Sequence, residues 1–331
     1  MLTNNPIGIL SVGSYLPEQK IDNQHFVDRG MDTTPEWIET RSGIKTRHIV
    51  SGDQSTSDLA YLSALSAIEH GPIKKSDIDF IIVATATPDH QGFPSTACLV
   101  QKKLEMNNIV CFDITAACSG FAYALSLAYA KIRAGLGTYG LVIGAETLSK
   151  MVDWSDRRTA ILFGDGAGAA IVGPVSEGGF FGFDQGADGQ AAGILCCTPQ
   201  ANTESFNGVA QPDALPMIHM DGQAVFKQGV QVVVESLTSL FTKHSMPVEN
   251  VDYVICHQAN IRILESVSKK TGVPFDKFLT NIDRVGNTSA ASIPLVLAEY
   301  AKKNQFSKGD IICFVGFGAG FTWSSILLEW S

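Results

Sequence analysis

The sequence predicts an α/β fold made of two similar halves. Three observations predict it. Buried-strand runs alternate with amphipathic helical runs, the alternation occurs twice in one order, and both passes end in similar Gly-rich turns, "GDGAG" at 164–168 and "GFGAG" at 316–320.

The elements follow in order. "IDFIIVATAT" at 78–87 and "VDYVICHQAN" at 251–260 each place an acidic residue before an apolar strand run that ends in small or polar residues. "ITAACSGFAYALSLAYAKIRAG" at 114–135 and "RVGNTSAASIPLVLAEYAKKNQ" at 284–305 each pass through small residues into an amphipathic helix. A second apolar strand follows each helix, "YGLVIGAE" at 139–146 and "DIICFVGFG" at 310–318. A pseudo-twofold axis between such units brings Cys118 and Asn287 together, since they occupy nearly equivalent junctions. The small residues around both junctions let the two helices approach closely. His257 arrives from the end of another strand. The polar stretch 147–160 is extra in the first half and is expected to cover an entrance or an interface. The halves divide near residue 180, giving 1–180 and 181–331, with one shared core.

Composition narrows the function. The chain has 331 residues, 45% hydrophobic and 17% charged, which suits a packed soluble enzyme. A net charge of −9 disfavours general nucleic-acid or anionic-membrane binding. The seven cysteines are 98, 111, 118, 196, 197, 256 and 313, irregularly spaced and without a CxxC pair. They imply free thiols in a reducing, cytoplasmic compartment and no zinc or other metal site. The N-terminal run lacks a basic region and reads as a first strand rather than a signal peptide, and no apolar run is long enough to span a bilayer.

Chemistry gathers at three junctions. A helix N-terminus offers unpaired N–H groups and partial positive charge, so a thiol at Cys118 is expected to ionise at about 3.5–7.5 instead of about 8.5. Taken singly, Cys118 reads as a small buried hydrophobe, His257 as a satisfied core histidine and Asn287 as a helix cap. All three at the junctions of a duplicated fold are harder to dismiss.

"WIETRSGI" (37–44), "GFPSTAC" (92–98), "AACSGF" (116–121), "DRRTAILFGDGAGA" (156–169), "HQANIR" (257–262), "GNTSAAS" (286–292) and "GFGAGFTW" (316–323) stand in this order along the chain. With them the chain resembles β-ketoacyl-acyl-carrier-protein synthase III, a condensing enzyme of the thiolase superfamily, from about residue 6 to 330. The resemblance implies a thiolase-like, five-layered αβαβα fold with pseudo-twofold halves. It implies decarboxylating condensation of an acyl-CoA primer, by default acetyl-CoA, with malonyl-acyl carrier protein, opening type II fatty acid synthesis. Cys118 is then the nucleophile, with His257 and Asn287 holding the enolate oxygen. The backbone N–H groups of Cys118 and Ala319 form the oxyanion hole. Ala319 stands where many members have glycine, which suits the role only if its φ is negative.

The same resemblance implies CoA contacts at Thr33, Trp37, Arg41, Arg157, Phe226 and Asn260. Phe93 would limit acyl length across a homodimer interface. Acyl carrier protein would dock at Lys227, Gln258, Arg262, Lys269 and Lys270, with Glu265 tempering that patch. No cofactor is implied. Rival readings are a thiolase, which would want a second cysteine as acid/base near the C-terminal Gly-rich turn, where Cys313 lies three residues short and reads as packing, and a histidine at the Asn287 junction, and an acyltransferase or ketosynthase of secondary metabolism. A non-catalytic acyl-carrier-binding protein is a third.

Overall fold

The structure is a computed structural model that describes residues 5–198, 201–206, 209–212 and 217–331. Nine strands build its two main sheets: β1 (Ile7–Tyr15), β2 (Phe80–Ala84), β3 (Val110–Ile114), β4 (Gly140–Glu146), β5 (Gly166–Pro174), β6 (Gly179–Ala187), β7 (Tyr253–Cys256), β8 (Ile311–Gly318) and β9 (Thr322–Glu329). The first sheet runs β1-β5-β4-β2-β3 and the second β7-β8-β9-β6. In the first, β2 lies parallel to β3 and β4, while β5 is antiparallel to β4 and β1. In the second, β7 and β8 are parallel and β9 is antiparallel to β8 and β6. The orders are therefore equivalent, β6, β9, β8 and β7 repeating β1, β5, β4 and β2. An isolated bridge between Val254 and Phe278 stands where the second half would carry the equivalent of β3.

Seven helices matter for the layers: α1 (Pro35–Ser42), α2 (Thr56–Glu69), α3 (Thr96–Lys103), α4 (Gly120–Arg133), α5 (Gly222–Lys243), α6 (Ile261–Thr271) and α7 (Ser292–Lys302). The sheets are apolar on both faces because both are covered. Ile82, Val142, Ile255 and Phe314 face a central core with Phe121 and Leu125 of α4 and Val296 and Leu297 of α7. Their strand neighbours Ile81 and Val83 turn outward to Leu59 of α2 and Val100 of α3. In the second sheet Val254, Cys256 and Cys313 turn outward to Leu237 of α5 and Leu264 of α6. The period of two along each strand thus feeds two cores at once. Truncating a central residue such as Phe121, which is fully buried, would cost about 3–5 kcal/mol. This is the duplicated α/β arrangement that the two sequence passes predict, in the five-layered thiolase-like form that the resemblance implies.

The halves meet at twin turns. Ala117–Ser119 precedes α4 and Ser289–Ala291 precedes α7, each a single 3-10 turn. Ala117 has φ 44° and Ser289 φ 48°, left-handed values that cost side-chain-bearing residues energy. Their match makes Cys118 equivalent to Ala290, with Asn287 three residues earlier, ahead of the Ser289–Ala291 turn. Glycine allows the approach. A Cβ on Gly144 of β4 would lie 2.2 Å from the Ala290 carbonyl oxygen, and one on Gly316 of β8 would lie 2.8 Å from the Ser119 Cα.

Candidate active site

A cavity of about 510 Å³ runs to the twin turns and is lined by Cys118, His257 and Asn287 together. Each arrives differently. Cys118 sits in the middle of the Ala117–Ser119 turn, before the first residue of α4, and is 7% exposed. His257 follows β7, and its backbone N–H donates to the Val315 carbonyl of β8 at 2.7 Å. Asn287 is clamped on both sides of its peptide: its N–H donates to Leu162 O and its carbonyl accepts from Gly164 N–H, both at 2.9 Å.

Hydrogen bonds fix what each side chain offers. The Asn287 side-chain oxygen accepts the Ser289 N–H, so its amide nitrogen remains as the donor. The His257 ring meets Phe317 edge-on at 5.1 Å between centroids, and its Nδ1 lies 2.7 Å from Ser292 Oγ. Burial pushes the His257 pKa down to about 3, so the ring is neutral at physiological pH.

The expected low thiol pKa is not found. Burial pushes the Cys118 thiol up to about 12, against a hydrogen bond from Ser289, and the Glu146 carboxylate adds to the rise. The physical reason is that Cys118 sits in an enclosed turn ahead of the helix, where desolvation outweighs the pull of the α4 N-terminus. Glu146 is itself fully buried at the end of β4, and burial raises its pKa to about 7.

The oxyanion turn abuts the thiol. A Cβ on Gly318 would lie 2.7 Å from Cys118 N and 2.9 Å from Cys118 Cβ. Ala319 lines the cavity and is not among the positive-φ residues, so alanine sits there without left-handed strain. Cys313 is buried on the outer face of β8, with α5 and α6, and is therefore a packing residue.

At the cavity mouth Arg157 and Arg41 both lie over the Trp37 ring, at 4.8 and 5.7 Å. Asp32 pairs with Arg157 at 3.5 Å. Asn260 caps α6 by accepting the Arg262 N–H and donates to the Arg41 carbonyl, each at 2.9 Å, which ties α6 to α1. Phe226 is also on the wall, and Leu148, Met151 and Arg157 bring the 147–160 stretch to it.

Several expected residues lie elsewhere. Thr33 is off the cavity wall, its hydroxyl buried without a hydrogen-bond partner among the described residues. Phe93 is also off the wall and is 88% exposed, which excludes core packing within its own chain. Gln258 is a correction. It is wholly buried, its amide donating to the Cys256 and Leu279 carbonyls and accepting from Asn281 N–H, so it has no surface to offer a docking protein. Lys227, Arg262, Lys269 and Lys270 are exposed. Sequence reasoning missed Glu146, Ser289 and Ser292, though the last two lie inside "GNTSAAS".

Known proteins share this arrangement of chain. Residues 112–189 match the family model 3-oxoacyl-(acyl-carrier-protein) synthase III, and residues 241–330 match the model of its C terminal. The β-ketoacyl-(acyl-carrier-protein) synthase III of Clostridium tetani is 44% identical, over 99% of this chain and 100% of that protein. The crystal structure of 3-oxoacyl-(acyl-carrier-protein) synthase III from Aquifex aeolicus is 38% identical with a TM-score of 0.90, covering 98% of this chain and 100% of that one. The priming β-ketosynthase of the R1128 polyketide pathway is 31% identical with a TM-score of 0.91, covering 100% and 98%. Similarity that runs end to end in both residues and backbone means that this chain belongs to the 3-oxoacyl-acyl-carrier-protein synthase III family and is a condensing acyltransferase.

Proposed function

We propose that the protein moves an acyl group from acyl-CoA to Cys118 and then condenses it with malonyl-acyl carrier protein, starting a fatty acid chain. The supporting observation is one cavity that joins the Trp37–Arg157 mouth to Cys118, His257 and Asn287. Trp37, Arg41 and Arg157 hold the CoA adenine by stacking, and Phe226 and Asn260 flank the pantetheine. The Cys118 thiolate attacks the thioester carbonyl, whose oxyanion takes the N–H groups of Cys118 and Ala319. CoA leaves and Cys118 keeps the acyl group.

Malonyl-acyl carrier protein then loses CO2. The C–C bonding pair passes into an enolate whose oxygen accepts from Asn287 Nδ2 and His257 Nε2. Ser292 sets the second donor. Its one hydroxyl proton has two acceptors, the Ser289 carbonyl at 2.6 Å and His257 Nδ1 at 2.7 Å. When it goes to Nδ1, the ring proton sits on Nε2 and faces the enolate. The enolate carbon attacks the acyl carbon and expels the Cys118 thiolate, giving 3-oxoacyl-acyl carrier protein. The thioester activates its own α-carbon, so no metal or organic cofactor enters.

The acidic carrier protein meets a chain of net charge −9, so it needs a local cationic face. Arg262 at the start of α6, Lys269 and Lys270 at its end, and Lys227 on α5 supply one. A second copy of the chain covers the exposed Phe93 in a homodimer.

Intact mass spectrometry with a panel of acyl-CoAs tests the reading. Wild type gains one acyl mass and Cys118→Ala none. Absence of the adduct with every acyl-CoA would favour a non-catalytic carrier-binding protein.

A further inference from the structure

The condensation scheme leaves one buried acid unused. Glu146 ends β4, is fully buried and takes part in no step above. Its partners in the first half are all donors. Thr87 Oγ1 and Thr85 Oγ1 donate to one carboxylate oxygen at 2.7 and 3.3 Å, and the Ala86 N–H reaches both oxygens, at 3.1 and 3.2 Å. Thr87 Oγ1 is itself held, since it accepts the Thr147 N–H at 2.9 Å. The carboxylate is therefore fixed to the chain that leaves β2.

Its other oxygen reaches the second half. Ser289 Oγ donates to Glu146 Oε1 at 2.9 Å, and the Ala290 N–H lies 3.5 Å from the same oxygen. Ser289 in turn touches both groups assigned to the enolate. Its N–H donates to Asn287 Oδ1 at 2.9 Å. Its carbonyl competes with His257 Nδ1 for the Ser292 hydroxyl proton, at 2.6 against 2.7 Å. One residue thus serves the Asn287 amide through its nitrogen and the His257 ring through its oxygen, and its side chain ends on Glu146.

The bond to Glu146 is not what makes the turn. In the twin turn Ala117 takes φ 44°, against 48° for Ser289, and has no hydroxyl. Nor does the bond hold the Asn287 backbone, which Leu162 and Gly164 clamp. What it sets is the place of the Ser289 peptide beside the Asn287 side chain, whose χ angles that peptide N–H restrains. Misplacing a reacting or donating group by 1 Å can cost about a hundredfold in rate.

We propose that Glu146 is a positioning residue for the second half-reaction: through the Ser289 hydroxyl it holds the peptide that orients the Asn287 amide and the Ser292–His257 pair toward the enolate. This rests on Asn287 and His257 being the enolate holders. Acyl transfer does not pass through it, because Cys118 and its oxyanion donors lie on the Ala117–Ser119 turn and at Ala319. The role requires an acceptor oxygen rather than a negative charge. Glutamine keeps a carbonyl oxygen for the Ser289 hydroxyl and the Ala86 N–H, and its amide can donate to Thr87 Oγ1, since a hydroxyl both gives and takes. Alanine keeps neither and leaves the Ser289 hydroxyl without its acceptor.

The test measures the two half-reactions on the same preparations. Glu146→Ala should gain acyl mass from acetyl-CoA within about threefold of the wild-type rate. It should release CO2 from malonyl-acyl carrier protein at least tenfold more slowly, with the KM for that substrate within about twofold. Glu146→Gln should recover CO2 release to within about threefold of wild type. Ser289→Ala keeps the N–H and loses the hydroxyl, so it should reproduce the slow CO2 release, and it decides the matter if Glu146→Ala does not fold. Its crystal structure should show Asn287 Oδ1 beyond hydrogen-bond distance of the residue 289 nitrogen. Normal CO2 release in Glu146→Ala or Ser289→Ala overturns the assignment. So do equal losses of acylation and CO2 release in Glu146→Ala, or Glu146→Gln as slow as Glu146→Ala. Wild type that acylates but releases no CO2 would sink the proposed function instead, and the crystal structure of Ser289→Ala alone would then decide whether Glu146 holds the Asn287 amide.

Discussion

The side-chain oxygen of Asn287 accepts the backbone N–H of Ser289 at 2.9 Å. The contact fixes the amide orientation and leaves nitrogen as the group that can donate to a developing enolate. Asp at this position keeps the Ser289 contact and removes the donor. Asn287→Asp should therefore acylate Cys118 within about threefold of wild type and release CO2 from malonyl-acyl carrier protein at least a hundredfold more slowly. That loss is the roughly 2.7–4 kcal/mol that one such donor supplies. Acyl mass and CO2 release, measured on the same preparation, separate the two half-reactions. Normal CO2 release would take the enolate away from Asn287.

Ser292 has no contact with substrate in this scheme and acts through the ring of His257. Removing its hydroxyl leaves Nδ1 without its partner at 2.7 Å, so no hydroxyl proton can turn from the Ser289 carbonyl to Nδ1 and hold the ring proton on Nε2. Ser292→Ala should slow CO2 release about tenfold and leave the KM for malonyl-acyl carrier protein within about twofold. A purely structural role would instead lower the melting temperature without separating kcat from KM.

Arg157 lies 4.8 Å over the Trp37 ring, a spacing that leaves no room for a purine between them. In the proposed reading adenine parts the pair, and the ring face and guanidinium then stack on the base. Trp37→Ala should raise the acyl-CoA KM about tenfold with kcat nearly unchanged, as expected where ground state and transition state are held alike. Trp37→Phe keeps an aromatic face and should stay within about threefold. Steady-state kinetics against acyl-CoA concentration check both.

The duplication was legible because strand and helix periods repeat on a visible scale, and Cys118, His257 and Asn287 all stand at the ends of those periods. Other residues depend on contacts between the halves. Glu146 reads as an ordinary acid ending "YGLVIGAE", and its burial is set by the Ser289–Ala291 turn of the other half. The hydroxyls of Ser289 and Ser292 gain their partners because Ser289 takes φ 48°, which no local pattern announces. Gln258 looks as available as its neighbour His257, yet the chain turns it inward against the Cys256 and Leu279 carbonyls. The thiol pKa went the other way from expectation for a related reason: a helix N-terminus is visible in sequence, whereas burial against Gly318, with Glu146 adding to the rise, is not.

The same enclosure makes stability depend on pH through His257. Its folded pKa is lowered to about 3 from the ordinary 6.5, so between these values the unfolded chain binds a proton that the folded chain refuses. Stability contributed by the neutral ring is therefore present above about pH 6.5 and is lost progressively as pH falls toward 3. From pH 7 to 5 the loss is about 2 kcal/mol. Glu146 works in the opposite direction. Its folded pKa is raised to about 7, so it favours the folded state as pH drops from 7 toward the ordinary carboxylate range. Urea unfolding at pH 7 and pH 5 separates them in variants. His257→Gln should lose about 2 kcal/mol less than wild type on acidification, since glutamine has no proton to gain. Equal losses in wild type and His257→Gln would mean that the ring ionises in the folded protein much as it does in water.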